Sequence, residues 1–543
     1  MADVDYAQFD KMSPFEIKDG LIKFARTSAA KSTNALLNAG RGNPNWIATE
    51  PREAYFLFGQ FALTEARRAM DNPQAGLAGM PQQSGAAGRF RAWLASSASV
   101  PGASFLHRAL DCAVNTFGFD ADAFVYEMTD SIIGDNYPVP DRMLVHAEKI
   151  VLRYLMWAMC GDKPPKGEFK LYAVEGGTAA MCYIFKSLMA NRILKKGDTI
   201  ALGTPIFTPY IEVAELEDYA LKAIHVKADQ EHGFQYPDAE LKKLEDPAVK
   251  AFFVCKPGNP TSMAMNAVTR EKLVDLVRHK RPDLIVLTDD VYSTFVPGFR
   301  SLMADLPNNT IGVYSYSKYF GCTGWRLGVI ALHEKNILDD MIAKLPNRDL
   351  AALDKRYGSI TLAPRDLKMI DRIVADSRDV ALNHTAGLSL PQQVMMTFFS
   401  LSELMDEGKI YQKACMDICQ RRTEALLRGL PLDVEPDENF ARYYGTIDFE
   451  FWLRKYVGED MVIWLKKNVH PLDLVYKLAE DHAVVLLNGG GFDAPNWSVR
   501  VSLANLPDEA YEEIGRAVRA VARGYVEAYR AQGGNVGVIK FGN

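Results

Sequence analysis

The strongest constraint on this chain is a series of short β-rich runs, each followed by a helical stretch, that begins near Phe169. The runs are 170–174 (KLYAV), 198–202 (DTIAL), 251–255 (AFFVC), 284–287 (LIVL), 310–314 (TIGVY) and 327–331 (LGVIA). A helix with apolar periodicity is predicted over 178–190, after the first run. Strands that alternate with helices predict a parallel or mostly parallel sheet wrapped by helices. Runs as continuously apolar as AFFVC and LIVL predict strands buried on both faces.

The rest of the chain is arranged around that block. Residues 1–71 read as an N-terminal arm with helices that contribute to a smaller domain. Within it, Ser13-Pro14-Phe15-Glu16 is a helix start with an N-cap Ser, Pro at the first position and Glu at the third. Residues 72–130 read as a helical insertion, and its opening stretch 72–88 (NPQAGLAGMPQQSGAAG) as a mobile surface loop or hinge. Residues 131–376 would form the large domain. Residues 377–543, with strands near 484–487 and 499–503, would form a small α+β domain.

Composition narrows the partners. There are 62 Lys+Arg against 68 Asp+Glu, a net charge of −6, so the chain has no electrostatic footprint for nucleic acid or a membrane surface. No apolar run reaches the roughly 18 residues of a spanning helix. The richest stretch, 150–160, is short and interrupted by Arg153. The acidic start lacks the basic and apolar regions of a secretory signal, and the seven cysteines include no CxxC pair. Cys415 and Cys419, four residues apart, read as small buried hydrophobes. The expectation is a cytoplasmic, reduced protein without a metal.

In an open α/β sheet, ligands collect beyond the carboxyl ends of the strands. After the first strand comes Gly176-Gly177-Thr178, a glycine turn at a helix N-terminus that suits a phosphate. Later strands are followed by Asn259-Pro260-Thr261, Asp289-Asp290-Val291-Tyr292 and Ser315-Tyr316-Ser317-Lys318, with Arg326 eight residues after the lysine. Each taken alone has an ordinary explanation as a cap, a turn or a solvated charge. Together and in this order they supply one pocket with a phosphate turn, an amide, a carboxylate, a lysine and an arginine.

This ordered set, and most specifically SYSKYFGCTGWRLG, resembles the fold-type I pyridoxal-phosphate enzymes of the aspartate aminotransferase superfamily. The resemblance implies pyridoxal 5′-phosphate as cofactor, carried covalently by Lys318, which also shuttles the substrate's Cα proton. It implies that Gly177, Thr178, Ser315 and Arg326 hold the phosphate and that Asp289 pairs with the ring nitrogen. Asn259 and Tyr292 would bond the ring's phenolic oxygen, with Asn259 also facing the substrate. Phe207 would stack on the ring, and Arg500, in SVRVSLAN, would grip the substrate's α-carboxylate. Tyr137 matches the tyrosine that reaches a neighbouring subunit's phosphate, which makes a homodimer the minimum unit.

Length points to a branch of that superfamily. The chain is well over a hundred residues longer than a typical member. With NAGRGNPNW, GDNYPVPDRML and KPGNPTSMAMN, it is similar to the bacterial aspartate β-decarboxylases. That similarity implies decarboxylation of L-aspartate to L-alanine and CO₂, a secondary aspartate aminotransferase activity and a large homo-oligomer built from dimers. Arg41 would then meet the substrate's distal carboxylate, with Lys18 and Lys23 as lesser candidates. The competing expectation is a pure aminotransferase. A transcription regulator with an aminotransferase-like domain would need a basic start, yet residues 1–130 hold 12 Lys+Arg and 14 Asp+Glu.

Overall fold

The computed structural model describes residues 9, 12–31, 35–137, 139–161, 163–378 and 386–536. Seven strands form the central sheet: β1 (Phe169–Val174), β2 (Thr199–Thr204), β3 (Lys222–Lys227), β4 (Val249–Val254), β5 (Ile285–Asp289), β6 (Thr310–Ser315) and β7 (Gly328–His333). Their spatial order is β1-β7-β6-β5-β4-β2-β3. The block from β6 to β3 is parallel throughout, and β7 runs antiparallel to both β6 and β1. The exception has a local cause. A parallel crossover needs a long connection, usually a helix, whereas 316–327 holds only a tight turn over 316–321 and the single helical turn Thr323–Trp325, and folds straight back. Gly328 therefore pairs directly with Ser315 on one side and Val174 on the other.

Strand β3 is absent from the sequence prediction. Its sequence, KAIHVK, is mixed in polarity and lysine-ended because it is the exposed edge of the sheet, where charge discourages further pairing. The other six strands are buried along nearly their whole length, as their apolar sequences predict. The stretch 72–88 also differs from its prediction. Asp71–Asn72 pairs with Leu77–Ala78 in a short exposed antiparallel ladder closed through Gly76 in the left-handed region, and a helix begins at Ala86.

Helices cover both faces of the sheet. Helices Ala86–Ser96, Ala103–Asn115 and Ala121–Ile133 share one core with Glu50–Ala69, Val145–Cys160 and Leu390–Leu404. Cys415 and Cys419 are buried in that core, as small hydrophobes would be. A second antiparallel sheet, of β8 (Tyr444–Asp448), β9 (Leu487–Asn488) and β10 (Ser498–Ser502), has the order β8-β10-β9. It shares its core with the helix Asp508–Ala531 and with the N-terminal helix Pro14–Lys31 through Ile17, Leu21 and Ala25. That N-terminal helix starts as its sequence predicts. Glu16 N–H donates to Ser13 Oγ (3.4 Å) and Ser13 N–H to Glu16 Oε2 (3.3 Å). Among the described residues no helix is long and apolar enough to cross a membrane.

Candidate active site

The carboxyl ends of the parallel strands, the start of β7 and the small sheet enclose a cavity of about 350 Å³. Ten of the residues proposed from sequence line it: Gly177, Thr178, Phe207, Asn259, Asp289, Tyr292, Ser315, Lys318, Arg326 and Arg500. Two do not. Tyr137 is 73% exposed and Arg41 is exposed, and both lie outside the cavity. Lys18 forms an ion pair with Asp19 at 3.7 Å, and Lys23 is exposed.

At one end sits a cradle for an anion. Helix Gly177–Ala190 begins at Gly176 with no side chain capping its first N–H groups, and such groups favour a phosphate. Gly176 has φ +94°, and a Cβ there would lie 2.5 Å from Arg326 Nη2, so only glycine leaves room for that guanidinium. Gly328 meets the same turn closely enough that its own Cβ would be 2.6 Å from Gly176 Cα. Arg326 donates to the carbonyls of Thr323 (3.0 Å) and Glu175 (3.2 Å) and to no carboxylate among the described residues. Ser315 Oγ donates to Ser317 Oγ at 3.0 Å beside it.

The middle of the cavity holds a buried carboxylate and an amine. Asp289 ends β5, where Val291 N–H donates to Oδ1 (3.2 Å) and the Tyr210 hydroxyl to Oδ2 (2.5 Å). Burial pushes the Asp289 carboxyl above the ordinary range, and those two donors with the Lys318 charge pull it back. Lys318 lies on the 316–327 return, partly buried, and its Nζ donates to Gly42 O at 3.2 Å.

At the far end Arg500, on β10, is buried against aromatic rings. Its guanidinium lies 4.4 Å from the Tyr444 ring centre, 5.4 Å from Phe492 and 5.8 Å from Phe15. Nη1 donates to Asn259 Oδ1 (3.0 Å) and Nη2 to Gly40 O (2.7 Å), while Nε has no partner among the described residues. Both acceptors are neutral, and no carboxylate among the described residues pairs with it. A buried guanidinium without a counter-ion is costly, and an anion entering the cavity would relieve that cost. Burial alone lowers its pKa.

Several lining residues were not singled out from sequence: Tyr210, Tyr444, Phe15 and Ser317; Gly42 and Asn43, which also line the cavity, belong to the NAGRGNPNW motif. Ser317 stands inside the quoted SYSK motif and could have been found there. Phe15 packs edge-on to Phe207 at 5.6 Å and brings the N-terminal helix to the cavity mouth.

A helix end with free N–H groups, a buried acid and an amine, all at the strand ends of this sheet, suit the phosphate, ring nitrogen and aldehyde of pyridoxal phosphate, and the buried arginine across the cavity remains for an anion of the substrate. Fold and site define a fold-type I pyridoxal-phosphate enzyme. The family model for aminotransferase class I and II matches residues 174–351. The bifunctional aspartate aminotransferase and L-aspartate beta-decarboxylase of a Pseudomonas species is 46% identical over 97% of this chain and 99% of its own. The solved aspartate aminotransferase of Rhizobium meliloti covers 96% of the chain at 15% identity with a TM-score of 0.58, and a Thermus thermophilus aspartate aminotransferase mutant 93% at 17% and 0.53. Those two structures match in fold. The chain belongs to the family of the Pseudomonas protein, a pyridoxal-phosphate-dependent branch of the class I and II aminotransferases.

Proposed function

We propose that this protein converts L-aspartate to L-alanine and CO₂ with pyridoxal 5′-phosphate, and transaminates aspartate as a secondary activity. The observation that carries the choice of reaction is the likeness, over nearly both full lengths, to the bifunctional Pseudomonas protein. The cavity is consistent with it, since it is lined by both an amine and an arginine that has no counter-ion among the described residues.

When bound, pyridoxal phosphate supplies a conjugated ring that accepts electrons released at the substrate carbon. The chain's residues supply the rest. Lys318 carries the cofactor and moves the Cα proton. Gly177, Thr178, Ser315, Ser317 and Arg326 hold the phosphate, and Asp289 holds a proton on the ring nitrogen. Tyr292 and Asn259 bond the ring oxygen, Phe207 covers a ring face, and Arg500 grips the α-carboxylate. In the net reaction the bond from Cβ to the distal carboxylate breaks, CO₂ leaves, and the electron pair left on carbon takes a proton. The site is shared in a homodimer. Thr178, Arg326 and Tyr137 are exposed on the single chain, and Tyr137 of one subunit reaches the phosphate end of its partner's cavity, with dimers assembling further.

The test is to supply aspartate and pyridoxal phosphate without a keto-acid acceptor. Sustained alanine and CO₂ production is expected. A halt after one oxaloacetate per site would make the protein a pure aminotransferase.

Two variants probe the roles. Asp289→Ala is expected to slow exchange of the substrate's Cα hydrogen with D₂O by about 10²- to 10⁴-fold, because an unprotonated ring is a poorer electron sink. Near-native exchange would remove Asp289 from that role. Arg41 is exposed, but its neighbours form the cavity wall. Gly40 O accepts from Arg500 and Gly42 O from Lys318. Arg41→Ala should change the alanine-to-oxaloacetate product ratio by about fivefold, about 1 kcal/mol for a partly solvated charge, with cofactor affinity unchanged. A constant ratio would leave Arg41 as an ordinary surface charge.

A further inference from the structure

The large and small sheets face each other across the cavity, and three of the side-chain hydrogen bonds between the two sides join residues that line it. Two are Asn259 to Arg500 and Lys318 to Gly42. The third joins Tyr292, just beyond β5, to Tyr444, on β8: the Tyr292 hydroxyl donates to the Tyr444 hydroxyl at 3.0 Å. Both tyrosines are almost fully buried, at 3% and 1% exposed. Tyr444 is held on several sides. Its N–H donates to Ser262 Oγ (2.7 Å), its ring lies against Arg500, and its hydroxyl would be only 2.7 Å from a Cβ at Gly42.

A phenolic hydroxyl has one hydrogen to donate and lone pairs to accept with. As the pair stands, Tyr292 spends its hydrogen on Tyr444, and Tyr444's own hydrogen has no acceptor among the described residues. That orphan donor is buried in the wall of a cavity. If an acceptor occupies the cavity side of Tyr292, the Tyr292 hydrogen can be drawn to it, leaving the Tyr444 hydroxyl, 3.0 Å away, to turn its own hydrogen onto the Tyr292 oxygen.

We propose that Tyr444 is a positioning residue for the cofactor, turning its hydrogen onto the Tyr292 oxygen so that the Tyr292 hydrogen is delivered to the ring oxygen of bound pyridoxal phosphate. The proposal rests on the cofactor assignment above. Linked hydroxyls polarise one another, strengthening each bond by about 10–30%. Because Tyr444 shares a sheet with Arg500, with Thr446 directly opposite Arg500, the residue that grips the substrate and the residue that tunes the cofactor are on one rigid element.

The charged and titratable groups facing the pair are Cys255, Asp289 and Lys318 from the large unit and Tyr443 and Arg500 from the small one. Deleting one hydroxyl leaves all five in place. A hydrogen bond donated to the ring oxygen favours its deprotonated form, so weakening the donor raises the pH midpoint of the cofactor's visible absorption band. Tyr444→Phe in the holoenzyme should raise that midpoint by about 0.3 to 0.5 unit, a two- to threefold gain in proton affinity. Tyr292→Phe should raise it further, and adding Tyr444→Phe to Tyr292→Phe should change nothing more. A midpoint unmoved in Tyr444→Phe, or moved equally with and without Tyr292, would overturn the proposal. A parent protein with no visible band would instead overturn the cofactor assignment beneath it.

Discussion

Lys318→Ala should leave a folded protein that turns over aspartate about 10⁴-fold more slowly or not at all, and that shows no visible absorption band when given pyridoxal phosphate. The size of the effect comes from two roles lost together. The amine is both the covalent anchor and the proton carrier at Cα, and general acid–base transfer alone contributes about 10²- to 10⁴-fold. The fold should survive because the side chain makes one hydrogen bond, to Gly42 O, and is only partly buried. Thermal melting and far-ultraviolet circular dichroism check that separation. A variant with parental turnover would remove the lysine from the chemistry.

Arg500→Lys should lower kcat/KM for aspartate by about 10²-fold or more, chiefly through KM. The replacement keeps the charge and loses the fork. Arg500 offers Nη1 to Asn259 and Nη2 to Gly40, a planar arrangement that a carboxylate can engage with two parallel bonds and an ammonium cannot reproduce. Truncating one partner of a buried charge-assisted pair costs about 2–5 kcal/mol, and 1.4 kcal/mol is a factor of ten. Steady-state kinetics on aspartate measure it. An unchanged KM would show that the carboxylate is held elsewhere and that the orphaned Nε has another purpose.

What could be seen in the sequence follows from what each residue owes to its neighbours in the chain. Gly176–Thr178, Asn259, Asp289 and Ser315–Lys318 each stand at the carboxyl end of a strand, or within five residues of it, and the apolar run of that strand is unmistakable, so strand recognition placed them at one edge. Tyr210 was not legible because it lies on the helix Thr208–Glu215 while its partner, Asp289, ends a strand far along the chain, and only the fold brings its hydroxyl to 2.5 Å. Tyr444 was missed with its strand. β8 passes directly into helix Phe449–Tyr456, and the one signal of the change in YYGTIDFEF is Asp448, which caps the helix by accepting from Phe451 N–H (3.1 Å). Phe15 announced a helix start correctly, yet nothing local ties it to Phe207, far along the chain. β3 escaped because an edge strand is selected for charge rather than apolarity.

The central claim is that Lys318 carries the cofactor. The direct measurement is to incubate the purified protein with pyridoxal phosphate, reduce with borohydride, digest, and locate the pyridoxyl label by mass spectrometry. The label should sit on Lys318 and vanish from Lys318→Ala. A label confined to other lysines, or none, would contradict the account.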